Sequence, residues 1–268
     1  MKKISLFAIA FAATLFTACD KDDDYDYEEE KPGGGQIEVT QLKAAGDSAG
    51  IIATLNQFRK ILGDSLNSTP GKTSGRREVN WDGVPANFTN NNTFPADFFN
   101  LTDPAGANGR KRGLVYLTAA SPLRLDSSSF KDIDASYATQ FSPFSPKKAI
   151  ISANSTVSEI IFKVPGTNTD AFVQGFGIIF SDVDDANSTT LQFFNGSKDL
   201  GIYKAPVKNA SGSFSFLGIH FPNEKVTRIR ITAGNGVLAA GTKDISNGGN
   251  KDLVVYDDFF YDEPKQLQ

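Results

Sequence analysis

From residue 226 the chain reads Val226-Thr227-Arg228-Ile229-Arg230-Ile231, apolar and polar side chains by turns, and Thr190-Leu191-Gln192-Phe193 repeats the alternation. Successive side chains of an extended chain point to opposite faces, so each segment predicts a strand with one face buried and the other wet. Short β-branched and aromatic runs of this kind occupy 113–118, 149–152, 159–164, 172–180, 190–194, 201–204, 213–221, 226–233 and 252–261, punctuated by Gly, Asn, Asp and Pro. About nine or ten strands in succession, with no helix between them, predict antiparallel pairing rather than a parallel α/β sheet.

A helical period occurs once. Ile51, Ile52, Leu55, Phe58, Ile61 and Leu62 recur at three-to-four spacing and predict a helix over 48–62, with Asp47 or Ser48 as N-cap and Gly63 as its end. Pro, Gly, Ser and Thr in 67–75 predict a loop leading onward. The expected fold is all-β: an antiparallel two-sheet β-sandwich, jelly-roll-like, preceded by one N-terminal helix, in a single domain over 37–268. The 22 phenylalanines are its expected filling, with Phe214, Phe216, Phe259 and Phe260 as core or groove wall.

The first residues follow another pattern. Lys2 and Lys3 precede an apolar, uncharged stretch over 4–16, the layout of a secretory signal peptide and too short for a mature membrane span. Phe16-Thr17-Ala18-Cys19 resembles the lipobox of bacterial lipoproteins, which implies a signal peptide over 1–18 and a lipid on Cys19. Because Cys19 is the only cysteine, no internal disulfide is available and stability must come from an ordinary core. Residues 19–36 are acidic and end in Pro32-Gly33-Gly34-Gly35, predicting a disordered tether. Lys21-Asp22-Asp23 resembles the export signal of surface lipoproteins in the Bacteroidetes group. Outer-membrane attachment with display at the cell surface is therefore expected, and retention on the periplasmic face is the alternative.

Charge narrows the partners. Of the net −4, the leader carries +2 and residues 20–31, with eight acids against two lysines, carry −6. The remainder is neutral and lacks the basic field that drives nucleic-acid binding. After the leader no apolar run approaches the ~20 residues of a membrane helix, so the expected membrane contact is the lipid alone.

Candidate chemistry is mostly acidic. Asp182-Val183-Asp184 lies in a turn between strands, and Tyr256-Asp257-Asp258-Phe259 lies inside the last one. Gathered carboxylates suit Ca²⁺, and Asp182, Asp184 and Asp258 are its candidate ligands; the central glycine and terminal glutamate of an EF-hand are missing. Adjacent strand residues face opposite ways, so one of Asp257 and Asp258 is expected to turn inward and to need company. A cation, backbone N–H groups, or one of Arg76, Arg77, Arg228 and Arg230 could provide it. His220, the only histidine, has no serine or cysteine elbow near it and reads as a packing or rim residue. Trp81, the only tryptophan, sits between Asn80 and Asp82, either as a sugar-stacking platform with those two neighbours or as a plug of the sandwich. Walker-type, dinucleotide-binding and Gly-x-Ser-x-Gly patterns are missing.

Gly75-Arg76-Arg77-Glu78-Val79-Asn80-Trp81-Asp82-Gly83-Val84-Pro85, Pro95-Ala96-Asp97-Phe98-Phe99-Asn100, Gly175-Phe176-Gly177 and Val254-Val255-Tyr256-Asp257-Asp258-Phe259 together resemble an uncharacterised family of secreted bacterial proteins, over about residues 51–264. The resemblance implies an extracytoplasmic β-sandwich and brings no activity with it. The Asp-Asp of the last strand is similar to that of jelly-roll carbohydrate-binding modules, whose last strand contributes to a structural Ca²⁺ site. The expected function is that of a lipid-anchored, non-catalytic envelope protein binding a glycan such as a polysaccharide, or another envelope component. A structural or adhesive protein binding an envelope protein is the alternative. A hydrolase would need two carboxylates facing across a cleft.

Overall fold

The computed structural model describes residues 37–117 and 121–268. The signal peptide, the tether and Cys19 lie outside the described residues. Fifteen strands and one α-helix follow in the order β1 (Thr40–Gly46), α1 (Ser48–Leu62), β2 (Arg76–Val79), β3 (Asn91–Phe94), β4 (Leu114–Leu117), β5 (Leu123–Asp126), β6 (Ala149–Ser152), β7 (Val157–Lys163), β8 (Asp170–Phe172), β9 (Gly175–Ser181), β10 (Thr190–Asn195), β11 (Lys198–Lys204), β12 (Phe214–His220), β13 (Arg228–Thr232), β14 (Val255–Asp262) and β15 (Lys265–Gln266). The first sheet runs β1-β12-β9-β14-β6-β5-β3 with β2 also on β14, and the second runs β11-β10-β13-β7-β8-β15 with β4 on β7. Pairing is antiparallel throughout the named strands.

Between β6 and β14 the chain passes from one sheet to the other at β6 to β7, β8 to β9, β9 to β10, β11 to β12, β12 to β13 and β13 to β14. This leaves β6-β14-β9-β12 facing β7-β13-β10-β11, which is jelly-roll order. Alternation sets what each strand buries: Phe176, Ile178, Phe180, Phe259 and Tyr261 of the first sheet meet Ile160, Phe162, Leu191, Phe193, Ile229 and Ile231 of the second. Each of these side chains, removed from water, contributes about 2 kcal/mol. All four phenylalanines singled out in the sequence are core.

The outer face of the first sheet is apolar too; α1 covers its β9, β12 and β14 part, while Phe130, Tyr137 and Phe141 cover Ala149, Ile151 and Val255. Asp47 caps the helix by accepting from the Gly50 N–H at 2.7 Å, and Gly63, at φ 133°, ends it. Ile51, Leu55, Phe58 and Leu62 then pack on Ile179, Phe214, Phe216 and Phe260. The paired glycines Gly177 and Gly218 leave a flat seat for the Phe58 ring; a Cβ on either would come within 2.8 Å of it.

Candidate functional site

Strand β14 carries the two adjacent carboxylates, and its register explains where they go. Tyr256 pairs with Phe180 and Phe259 with Ile178, so Asp257 and Asp258 together stand opposite the single residue Ile179, a β-bulge. Strict alternation would have sent one aspartate into the sandwich. The bulge instead puts both on the outer face, beneath the segment that carries Phe144 and Ser145. Asp257 Oδ2 accepts the backbone N–H of Phe144 at 2.6 Å and of Ser145 at 3.0 Å, and Asp258 Oδ1 accepts the Ser145 hydroxyl at 2.7 Å. Burial, and then the neighbouring Asp258 charge, push the Asp257 carboxyl far up; burial also raises Asp258, with the Ser145 hydroxyl working against it. Both carboxyls favour their protonated form, and so close together they titrate as a pair.

The expected arginine partners are engaged elsewhere. Arg77 and Glu263, 0% and 1% exposed, form a two-pronged pair at 2.8 and 2.7 Å. Arg76 bonds Glu78, and Arg228 and Arg230 both bond Glu159. Backbone N–H groups and the Ser145 hydroxyl keep Asp257 and Asp258 company instead.

The proposed calcium set is also rearranged. Asp182 and Asp184 converge with Asp244, which the sequence reading did not single out, and each of the three offers an oxygen within 4.8 Å of the others. Asp258 belongs to the bulge and not to this cluster. Three hard oxygen donors fit the chemistry of Ca²⁺, but a cation of the chain already lies among them. The Lys208 ammonium bonds Asp182 and, at 2.7 Å, Asp184 Oδ2. Burial nonetheless pushes Asp182 up to about 6, against the pull of Lys208 and of Gln140.

Trp81 is a plug, which corrects the stacking-platform reading. It is fully buried, with Phe94, Phe99 and Phe259 edge-on at 5.3 to 5.9 Å. Asn80 is exposed and Asp82 half-buried, so the three do not form one recognition surface.

Two clefts open beside these elements. One, of about 260 Å³, lies where the end of α1 meets the ends of β12 and β14, and includes Thr73, Ser74, Gln174, His220, Asp262 and Lys265. Asp262 follows Asp258 and Phe260 on the outward face of β14. Its Oδ1 accepts the Gln174 and Gly175 N–H groups at 2.7 and 2.8 Å, while its buried Oδ2 has no hydrogen-bond partner among the described residues. The Lys265 ammonium stands 3.9 Å from Oδ2, too far to bond it, and donates to Gln174 at 3.0 Å. Burial pushes Asp262 up to about 6, and burial with the nearby Lys265 charge lowers His220. His220 is a half-buried group on the rim of this cleft.

The other cleft, of about 440 Å³, opens between the sheets at the ends of β4, β5 and β6 and the start of β7, with Tyr116, Leu123, Ser152, Val157, Ser158 and Arg230 on its walls. Among the described residues no helix is long and apolar enough to cross a membrane. Comparison of the chain with protein-family models, with curated proteins and with solved structures finds no match.

Proposed function

We propose that this chain is a non-catalytic binding protein of the bacterial cell envelope, held to a membrane by a lipid on Cys19, and that it takes a sugar unit of an envelope glycan in the Asp262 cleft. The observation that carries the ligand class is the unbonded Asp262 Oδ2 facing an ammonium 3.9 Å away. An acceptor and a donor held just out of each other's reach are both satisfied by a hydroxyl, which accepts from one and donates to the other. Their charges cancel, which favours a neutral ligand. Thr73 and Ser74 add hydroxyls, and Ile61 and Leu62 give an apolar wall for the C–H face of a ring. The volume lies just under the ~300 Å³ at which small-molecule sites begin, so one sugar unit suits it better than a long chain. The Asp257–Asp258 pair, the only adjacent acids buried together on one strand among the described residues, lies under Phe144 and Ser145 rather than across an open cleft, which favours binding over hydrolysis.

Glycan arrays and calorimetry on the acyl-free protein test the ligand. Asp262→Asn keeps an oxygen for the Gln174 and Gly175 N–H groups but loses the charge, and is expected to weaken binding about tenfold or more, the value of one charge-assisted hydrogen bond. Affinity should also fall as pH drops through about 6, because protonated Asp262 no longer accepts freely. Failure to bind any polysaccharide, or equal binding by Asp262→Asn, refutes the glycan site. Mass spectrometry of the native protein tests the anchor separately: a bare Cys19 thiol removes it.

A further inference from the structure

We infer that a polysaccharide entering the Asp262 cleft continues onto the outward face of the second sheet, and that its units there carry carboxylates. The ligand is then an acidic glycan in which a neutral unit, held in the cleft, is followed by uronic acids. This rests on the reading of that cleft as a sugar site and names the polymer the site takes.

The path begins at Lys265, which lines the cleft and stands opposite Phe172 in the pairing of β15 with β8. Ala171 and Val173 lie in the core, so Phe172 between them faces outward, half-buried. The Lys225 ammonium is 5.2 Å from the centre of that ring, on an exposed residue that bonds no carboxylate among the described residues. Further along, Phe193, Ile229 and Ile231 point into the sandwich, which turns Phe194, Arg228 and Arg230 out on the same face of the sheet. Arg228 lies on Phe194, 3.7 Å from the ring centre. Both arginines bond one oxygen, Glu159 Oε1. Arg230, 45% exposed, uses only its Nε there, and its two terminal nitrogens, without a partner among the described residues, present the fork that fits a carboxylate.

Lys225, Arg228 and Arg230 therefore set three cations against the single carboxylate of Glu159. Neighbouring charges do not cancel the surplus: Lys163 is paired with Asp170, and at the β11 edge Lys204 and Asp199 offset each other. The cations are spread over roughly 15 Å of extended chain, which suits acids repeated along one polymer better than a single small anion. Between Lys225 and Lys265 the half-buried Phe172 ring offers an apolar surface to the face of a sugar.

The full-length protein is titrated by calorimetry with a hyaluronan oligosaccharide, in which neutral and uronic units alternate, with the same oligosaccharide after reduction of its carboxylates to alcohols, and with polyglutamate. The acidic oligosaccharide should bind about tenfold tighter than the reduced one at low salt, from several exposed charge contacts acting together, and the advantage should vanish in molar salt. Lys225→Ala and Arg230→Ala, both at exposed positions, should each lower affinity for the acidic form about threefold and leave the reduced form unchanged. Asp262→Asn separates the two readings, because it should weaken both forms by the same factor. Equal binding of the two forms by wild type refutes the acidic strip, and leaves the cleft standing where Asp262→Asn still weakens both. An acid preference untouched by Lys225→Ala and Arg230→Ala refutes the strip too. So does polyglutamate binding as tightly as the acidic glycan, which would make this face a patch for any polyanion. If Asp262→Asn binds both forms as wild type does, the cleft reading has failed and this inference with it.

Discussion

The two groups of acids on this protein solve the same problem in opposite ways. Asp182 and Asp244 are buried and Asp184 half-buried, with the Lys208 ammonium bonded to Asp182 and Asp184. Asp257 and Asp258 are buried with no cation bonded to them among the described residues, and rely on two backbone N–H groups, one hydroxyl and a raised affinity for protons. A charge taken out of water must be neutralised by a partner or by protonation. The first group should therefore fail when its cation is removed, and the second when its proton is. That difference gives a ranked set of tests.

The largest effect is expected at Lys208. Its side chain is 10% exposed and that of Asp182 3%, so Lys208→Met leaves buried carboxylates without their cation. A broken buried pair costs about 3 kcal/mol or more, and urea unfolding at neutral pH should show a loss near that size. The loss should shrink on acidification, because protonating Asp182 and Asp184 removes the uncompensated charge. A variant within about 0.5 kcal/mol of wild type would mean that the ammonium does not hold the cluster together.

At the bulge the choice of substitution is decisive. Asp257→Ala orphans the Phe144 and Ser145 N–H groups and should cost about 1–3 kcal/mol. Asp257→Asn keeps an oxygen for both and turns an NH₂ toward Asp258, a permanent donor. Asp257 has a folded-state affinity for protons raised above that of the unfolded chain. The folded state therefore binds more protons, and its stability falls as pH rises from the ordinary carboxylate range through the raised value. Melting of wild type should accordingly decline into the alkaline range, and Asp257→Asn should be flatter and the more stable of the two there. A wild type whose melting temperature is level across that range would show that folding does not raise the proton affinity of Asp257.

Much of this was legible beforehand, and the gaps have physical causes. Strands with full alternation, such as β13, and the helix with its Asp47 cap were read directly. The strands β1, β2, β3, β5, β8 and β15 were not, because they are short or, as in β1 at the sheet edge, half-exposed and weakly patterned. The bulge depends on pairing with β9, which no local run of residues reveals. Asp244 and Lys208 are distant in sequence from the aspartates they join. Asp262 was within reach, since it continues the outward face of Asp258 and Phe260 along one strand. Trp81 was ambiguous because an exposed platform and a buried plug have the same local sequence; only its ring neighbours distinguish them.

The smallest expected effect is none, and it sharpens the comparison most. If Lys208 is the cation of the first group, EDTA should leave the wild-type melting temperature unchanged, because no bound metal contributes to folding. The Lys208→Met variant differs: its three carboxylates lose their internal cation and present hard oxygens within 4.8 Å of one another. Millimolar Ca²⁺ should then raise its melting temperature while leaving wild type untouched, since ligand bound only to the folded state stabilises it. The bulge pair, closed over by Phe144 and favouring its protonated form, should respond to Ca²⁺ in neither background. A wild-type melting temperature that falls in EDTA would reverse the assignment, making Ca²⁺ the native partner of Asp182, Asp184 and Asp244 and Lys208 its substitute.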